Sequence, residues 1–262
     1  MQLSLNKLFV ITASYLLLNT AAIANPPALL AMNQPIAHDA SITDSFLMGK
    51  YTASKRGDFV KISTRYASRS GMYMQSLPYD AFKAMYNDAK SSGVNLKIIS
   101  ATRSFYHQKS IWEAKWMGKR NVGNIKNAAR SIKNHQQRAV KILEYSSMPG
   151  SSRHHWGTDV DLNAFTNKYF ASGQGKKTYD WLVKNAARYG FCQPYTAKSQ
   201  RRATGYNEEK WHWSFQPLSH QYTQQAQLRL TDKSFTGFAG SSTATRIGII
   251  NKYVLGIEPS CK

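Results

Sequence analysis

The fold of this chain is decided by ten residues, SRHHWGTDVD, at positions 152–161. His154 and Asp161 lie seven positions apart with Gly157 between them. Neither a short helix nor a short strand brings side chains at that spacing to one point. A turn that presents His154 and leads into a strand carrying Asp161 does so. We therefore predict a turn followed by a short strand at 158–162.

A second segment, EEKWH at positions 208–212, carries more of the same chemistry. The chain has 14 acidic residues against 35 Lys and Arg, yet four of the acids and three of the seven histidines lie in these two segments. Carboxylate and imidazole groups are ligands that zinc takes. A catalytic zinc site has three protein ligands, a fourth position for water and a nearby carboxylate that moves the proton.

The histidine and the glutamate of the second segment are expected at different places. His212 belongs to a β-prone stretch at 210–215 and is expected beside the strand of Asp161. Glu209 lies three residues before His212. Because side chains alternate between the two faces of a strand, residues an odd number of positions apart point to opposite faces. We therefore expect Glu209 just before the strand, at the open metal position, as a general base. Either segment alone also fits a packed histidine and ion-paired aspartates, and the chain has no HExxH motif.

The net charge of +21 over 262 residues predicts an anionic partner. Residues 114–143 contain eight Lys or Arg and no acid. At the N-terminus, Lys7 precedes a mostly apolar run at 8–18, and Ala22-Ile23-Ala24 has the form of a cleavage site. We predict a signal peptide and a periplasmic protein, which argues against nucleic acid as the partner. The alternative is an uncleaved anchor in the inner membrane facing the periplasm.

The remaining patterns predict an α+β fold in which helices flank a small antiparallel sheet. Helices are expected at 77–92, 105–117, 135–145 and 178–189, with a polar helix starting near 217, and strands at 94–100, 158–162 and 210–215. The predicted segments are a signal peptide at 1–24, a wrapping segment at 25–75, the main domain at 76–220 and a packed tail at 221–262. Cys192 and Cys261 form a disulfide in an oxidising compartment or remain two unpaired thiols.

Three motifs resemble those of the VanY-like D-alanyl-D-alanine carboxypeptidases. These are zinc peptidases of the wider group that includes lysostaphin-type enzymes and the hedgehog signalling domain. The motifs are S-x-H-x-x-G-x-x-x-D at 152–161, E-x-W-H at 209–212 and SATRSF-x-x-Q at 100–108. They occur in the family's order, and the resemblance runs from about residue 75 to about residue 220. It implies a hedgehog or D-Ala-D-Ala-peptidase-like fold with the zinc site on the sheet.

The resemblance also implies a role for each site residue. The implied zinc ligands are His154, Asp161 and His212, with Glu209 as the base. The implied substrate-binding residues are Arg103, for a substrate carboxylate, with Ser152 and Gln108 nearby. An arginine is suited to this role because its planar fork binds a carboxylate through two hydrogen bonds.

Asp159 departs from the family, in which this position is commonly a small residue. A carboxylate here has the parity of Asp161, so it either orients a ligand histidine or pairs with a Lys or Arg. We keep Asp161 as the ligand. His155 is expected to be structural or to face the substrate, and Trp156 to form a wall of the pocket.

These observations predict an exported, zinc-dependent peptidase that cleaves amide bonds at D-centres of peptidoglycan. Two outcomes stay open: trimming of a terminal residue by a carboxypeptidase, and cleavage of an internal or cross-linking bond by an endopeptidase. The strong positive charge suits peptidoglycan, whose stem peptides carry free carboxylates. The alternative from another class is a non-catalytic cell-wall-binding module that contains zinc only for structure.

Overall fold

The computed structural model describes residues 41–262, so the predicted signal peptide lies outside the described residues. Within that range no helix combines the length and the apolar character needed to cross a bilayer. The α-helices are α1 Asp44–Leu47, α2 Ser76–Ser91, α3 Phe105–Trp116, α4 Ala128–Ser131, α5 His135–Ile142, α6 Gly173–Asn185, α7 Gln216–Arg229 and α8 Ala244–Ile247. The strands are β1 Phe59–Lys61, β2 Tyr73–Gln75, β3 Ile98–Ser100, β4 Asp159–Leu162, β5 Phe191–Cys192 and β6 His212–Phe215.

A four-stranded antiparallel sheet organises the molecule, with the strand order β3-β4-β6-β5. Helices surround the sheet, which confirms the predicted α+β class. Asp161 of β4 lies directly opposite His212 of β6, and Asp159 lies opposite Ser214. The two strands that carry the site motifs are therefore neighbours, although about fifty residues separate them along the chain.

The alternation of side chains divides the two faces of this sheet. Val160 and Leu162 of β4 are fully buried in an apolar core that also contains α2 and α6 residues. Trp213 and Phe215 of β6 enter the same core. The residues of opposite parity, including Asp161 and His212, consequently share the other face. A second core lies among α1, α3, α5 and the C-terminal helices.

The main helices follow the predicted positions. Helix α2 buries Phe82 and Met85, and Gly93 follows it with a positive φ of 69°. Helix α3 begins after Ser104, whose side chain accepts a hydrogen bond from the backbone nitrogen of His107 at 3.2 Å. This N-cap fixes the point at which the chain leaves the sheet after β3 and enters the helix.

Three details were not predicted from the sequence. Residues within the expected wrapping segment form a hairpin of β1 and β2, whose strands have three residues each and lack a clear period. The strand expected at 94–100 is limited to β3. In α5, Val140 is 43% exposed, whereas Arg138 is buried against Trp116 and donates to the carbonyl oxygens of Ile132 and Ala129. The guanidinium is buried because those carbonyls satisfy it.

The predicted disulfide between Cys192 and Cys261 is present. It joins β5 to a short 3₁₀ turn at Pro259–Cys261, near the C-terminus. Together with α7 and α8, which contribute to the second core, it holds the last forty residues against the body of the protein.

Candidate metal centre

Three buried side chains converge beside the sheet: His154, Asp161 and His212. One potential ligand atom from each lies within 4.8 Å of the others. His154 comes from a 3₁₀ turn at Arg153–Trp156 that leads through Gly157 into β4, which is the predicted combination of turn and strand. Cross-strand pairing supplies the other two residues. The exposed fractions are only 1%, 2% and 3%, so the cluster is shielded from bulk water.

Each histidine has one ring nitrogen occupied by a hydrogen bond to the protein. His154 donates from Nδ1 to the carbonyl oxygen of Ala101 at 2.9 Å. His212 donates from Nε2 to Asp159 Oδ2 at 2.8 Å. Because the acceptors hold these protons, Nε2 of His154 and Nδ1 of His212 are the ring nitrogens that face the cluster.

The remaining polar atoms fit a metal ion. His154 Nε2 and Asp161 Oδ1 are buried and form no hydrogen bond within the described residues. Their nearest polar atoms belong to the cluster itself: His154 Nε2 lies 3.2 Å from Asp161 Oδ2, and Asp161 Oδ1 lies 3.3 Å from His212 Nδ1. A buried polar group without a hydrogen bond is costly, so it requires an explanation. Two imidazole nitrogens and one carboxylate oxygen form a donor set that suits zinc. The chain thus offers three ligands that an ion would satisfy.

The two histidines differ in their affinity for protons. Burial lowers the pKa of His154 to about 4, so this imidazole is neutral at pH 7 and able to ligate. Burial also opposes the charged form of His212, but its hydrogen-bonded carboxylates Asp159 and Glu209 outweigh that effect and raise its pKa to about 9. A metal ion must therefore displace a proton from His212 at neutral pH.

Glu209 lies where the sequence predicted, in the loop just before β6. Its Oε2 atom is 3.2 Å from His212 Nδ1, and the side chain is 8% exposed. Its backbone nitrogen donates to the carbonyl oxygen of Tyr195 at 2.9 Å, which anchors the loop. Burial raises the pKa of the Glu209 carboxyl, a change that favours proton transfer near neutral pH.

Arg103 extends its guanidinium to the edge of the cluster, with Nη2 at 3.6 Å from Asp161 Oδ2. Its Nη1 atom donates to Gln108 Oε1 at 3.2 Å, and Gln108 in turn donates to the carbonyl oxygen of Ser147 at 2.8 Å. The Nε atom of Arg103 forms no hydrogen bond with any described residue. Gln108 therefore braces Arg103, while Ser152 is buried and makes no hydrogen bond to either of them among the described side chains.

Asp159 takes both of the roles that the sequence left open. Its carboxylate accepts from His212 and also from Arg153 Nε at 3.1 Å. Arg153 is 1% exposed and donates further to Ser214 and Thr223, both at 2.8 Å. Sequence reasoning missed Arg153, because nothing in the SRHHWG motif indicates that this arginine points inward.

His155 and Trp156 are structural. The His155 ring donates from Nδ1 to the carbonyl oxygen of Arg103 at 2.7 Å and accepts from the backbone nitrogen of Gly150 at 3.0 Å. Trp156 was expected to line the pocket, and that expectation is wrong. Its indole nitrogen donates to the carbonyl oxygen of Leu47, and the ring packs on Tyr222, so it contacts α1 and α7.

A cleft of about 810 Å³ opens over Asp161 and Glu209. Arg103 and Trp211 line it, as does Arg120, from the basic loop that follows α3. The basic segment predicted from the sequence thus contributes directly to the wall of this cleft. The sequence did not indicate which of its charges would do so.

The structure thus defines an α+β protein with a buried three-ligand candidate metal centre beside a basic cleft. A sequence model of the VanY D-alanyl-D-alanine carboxypeptidases matches residues 71–218, which is more than half of the chain. The chain belongs to the VanY family, and the resemblance drawn from its three motifs is confirmed at that level.

Individual relatives are distant. YodJ of Bacillus subtilis (strain 168) is 29% identical over 142 residues, covering 53% of this chain and 45% of its own length. A D-alanyl-D-alanine carboxypeptidase of Enterococcus faecalis (strain ATCC 700802 / V583) is 28% identical over 131 residues, covering 50% and 44%. The chain thus spans less than half the length of these relatives. A solved structure of VanYB in complex with D-alanine-D-alanine is 23% identical with a TM-score of 0.48, covering 66% of this chain and 86% of that one.

Proposed function

We propose that this chain is a zinc-dependent peptidoglycan carboxypeptidase that hydrolyses the amide bond before a C-terminal D-residue of a stem peptide. The observation that carries the proposal is the convergence of His154 Nε2, Asp161 and His212 Nδ1, with Glu209 in contact and Arg103 at 3.6 Å. Membership of the VanY family supports the same reaction class.

In this proposal His154, Asp161 and His212 hold the zinc ion. When bound, the ion supplies Lewis-acid chemistry that polarises a carbonyl oxygen and acidifies water. Glu209 accepts the proton of the attacking water and delivers it to the leaving amine, because its carboxylate is buried and adjacent to the cluster. The buried surroundings keep competing solvent away from this transfer.

Arg103 orients the substrate by binding its terminal carboxylate. Gln108 occupies one amine of the guanidinium, Nη2 lies at the edge of the cluster, and Nε has no hydrogen-bond partner among the described residues. A fork held in this way binds a carboxylate with two hydrogen bonds and a fixed orientation. A free terminal carboxylate is the feature that separates a carboxypeptidase substrate from an internal bond.

An endopeptidase is the second candidate. It is favoured by the size of the cleft, about 810 Å³, whose wall includes Arg120 and Lys168 as well as Arg103, and which has room for a polymeric stem or cross-link. The two candidates share the same chemistry and differ in product. Loss of one alanine from monomeric muropeptides indicates the carboxypeptidase, and conversion of dimers to monomers indicates the endopeptidase.

The test is mass spectrometry of muropeptides from purified sacculi incubated with zinc-loaded protein. We expect Glu209→Gln to lower the rate by about 10²- to 10⁴-fold, because it removes the general base. Its neighbour Glu208→Gln is the matched control and should retain activity. Glu209→Gln should still bind one zinc ion, so the measured zinc content separates loss of the base from loss of the metal site.

Two results would overturn the proposal. Full activity of Glu209→Gln would remove the assigned base. Zinc binding with no product from any muropeptide would instead support the non-catalytic wall-binding module.

We also place the protein in the periplasm, because peptidoglycan and the disulfide Cys192–Cys261 both suit an oxidising compartment outside the cytoplasm.

A further inference from the structure

The cleft over the candidate metal centre has an excess of positive charge. Two acids line it: Asp161, which belongs to the cluster, and Glu209, which contacts His212. Five Lys or Arg residues line it as well: Arg69, Arg103, Lys115, Arg120 and Lys168. Of these five cations, only Arg103 lies within 4 Å of a carboxylate. The other four have no carboxylate within 4 Å among residues 41–262.

Lys115 is the most confined of these cations. It lies in the last turn of α3, where His107, Ile111 and Lys115, four residues apart, present one face of the helix to the cleft. Its amine donates to the hydroxyl of Ser146, a neutral acceptor. Burial and the nearby Arg120 lower the pKa of the amine to about 8. A carboxylate in the cleft would compensate this charge.

We propose that Lys115, together with Arg120, forms a second carboxylate-binding position, so that the preferred peptide carries a free carboxylate two or three residues before its C-terminus. This inference rests on the proposed function, in which Arg103 binds the terminal carboxylate. It adds a selectivity that neither the three family motifs nor the ligand set specifies.

The spacing follows from helix geometry. Gln108, which braces Arg103, and Lys115 are seven residues apart on α3, a separation of about 10 Å along the axis. An extended peptide advances about 3.3 Å per residue. A peptide whose terminal carboxylate lies at Arg103 therefore brings its second or third preceding residue within reach of the amine, since both side chains add length.

Two synthetic pentapeptides test the proposal. Both end in D-Ala-D-Ala and differ only at the third residue, which carries either a side-chain carboxylate or the matching carboxamide. We expect the zinc-loaded protein to prefer the acid by about tenfold in kcat/KM, the typical effect of one charge-assisted hydrogen bond. Lys115→Gln should reduce the acid-to-amide ratio to within about twofold of one, and Arg120→Gln should reduce it partly.

Lys119→Gln is the matched control, because Lys119 is exposed, adjacent to Arg120 and not part of the cleft wall. It should keep the wild-type ratio. Equal wild-type rates on the two peptides, or an unchanged ratio in Lys115→Gln, would overturn the second position while leaving the proposed hydrolysis intact.

Calorimetric binding of both peptides to zinc-loaded Glu209→Gln gives a readout without turnover. The same preference for the acid, lost in Lys115→Gln/Glu209→Gln, supports the proposal, and equal binding overturns it. If the zinc-loaded wild type hydrolyses neither peptide, that result counts against the proposed function. The binding comparison would still test whether the second carboxylate-binding position exists.

Discussion

The candidate metal centre depends on which nitrogen each imidazole exposes. A backbone carbonyl holds Nδ1 of His154, whereas the Asp159 carboxylate holds Nε2 of His212. The two rings therefore present opposite nitrogens to the same point. Asp159 can carry a full negative charge at 0% exposure because Arg153 pairs with it. Burial opposes that charge, but Arg153 and His212 outweigh burial and hold the pKa of Asp159 well below its usual range.

We expect Asp159→Asn to weaken zinc binding by about 10- to 100-fold, the usual cost of losing a carboxylate behind a ligand histidine. The amide keeps the shape of the side chain but removes the charge that makes His212 a strong base. Competition with a chromogenic chelator measures the affinity directly, without reference to activity.

Ser214→Ala is the control for this variant. It removes another hydrogen bond to Asp159, at 2.7 Å, and the Ser214 acceptor of Arg153 Nη2, but leaves the contact between Asp159 and His212 in place. We expect a loss of about 1–3 kcal/mol in unfolding free energy and no change in zinc affinity. Unchanged zinc affinity in Asp159→Asn would show that Asp159 serves only to neutralise Arg153.

At the scale of elements, the turn before β4 determines the position of His154. Gly157 has a φ of +73°, and a Cβ atom there would lie 2.3 Å from Cε1 of Phe59. Its carbonyl oxygen accepts from the backbone nitrogen of Gln75 at 3.0 Å. The β1–β2 hairpin thus packs against the turn that places His154, and glycine is required because both the backbone angle and the close contact exclude a side chain.

Gly157→Ala should lower the unfolding free energy by at least about 2 kcal/mol, since the left-handed conformation alone costs about 1–2 kcal/mol and the contact with Phe59 adds to it. Denaturant titration measures the change. Gly57→Ala is the matched control, because a Cβ atom there meets nothing within 4 Å and φ is not positive. Similar losses in both variants would show that the turn is not under this constraint.

At the scale of the whole molecule, both core packing and a disulfide hold the C-terminal forty residues against the rest of the protein. Helices α7 and α8 contribute to the second core, and Cys261 is bonded to Cys192 of β5. Strand β5 pairs with β6, which carries His212, so the disulfide connects the C-terminus to the sheet that bears the site. The tail is consequently a structural part of the folded protein.

We expect the double variant Cys192→Ser/Cys261→Ser to lose up to about 4 kcal/mol of unfolding free energy, because the bond closes a loop with a sequence separation of 69. Denaturant titrations with and without a reductant measure this difference. The reductant should destabilise the wild type and leave the double variant unaffected. A wild type that is insensitive to complete reduction would contradict the expectation.

The sequence was sufficient for the parts that depend on local pattern and residue chemistry. The spacing of His154, Gly157 and Asp161 predicted the turn and strand, and the parity of Glu209 placed it just before β6. Apolar periodicity located the main helices because those segments bury one face. Short strands such as β1 and β2 were missed, since three residues give too little alternation to recognise.

Only the tertiary structure decided how distant residues meet. It paired β4 with β6 so that Asp161 faces His212, buried Arg153 against Asp159, and turned Trp156 away from the cleft. It also selected Lys115 and Arg120 from eight charges in one basic segment as the ones that face the site. The physical reason is that a ligand set or a counter-ion is a contact between elements, whereas sequence patterns report one element at a time.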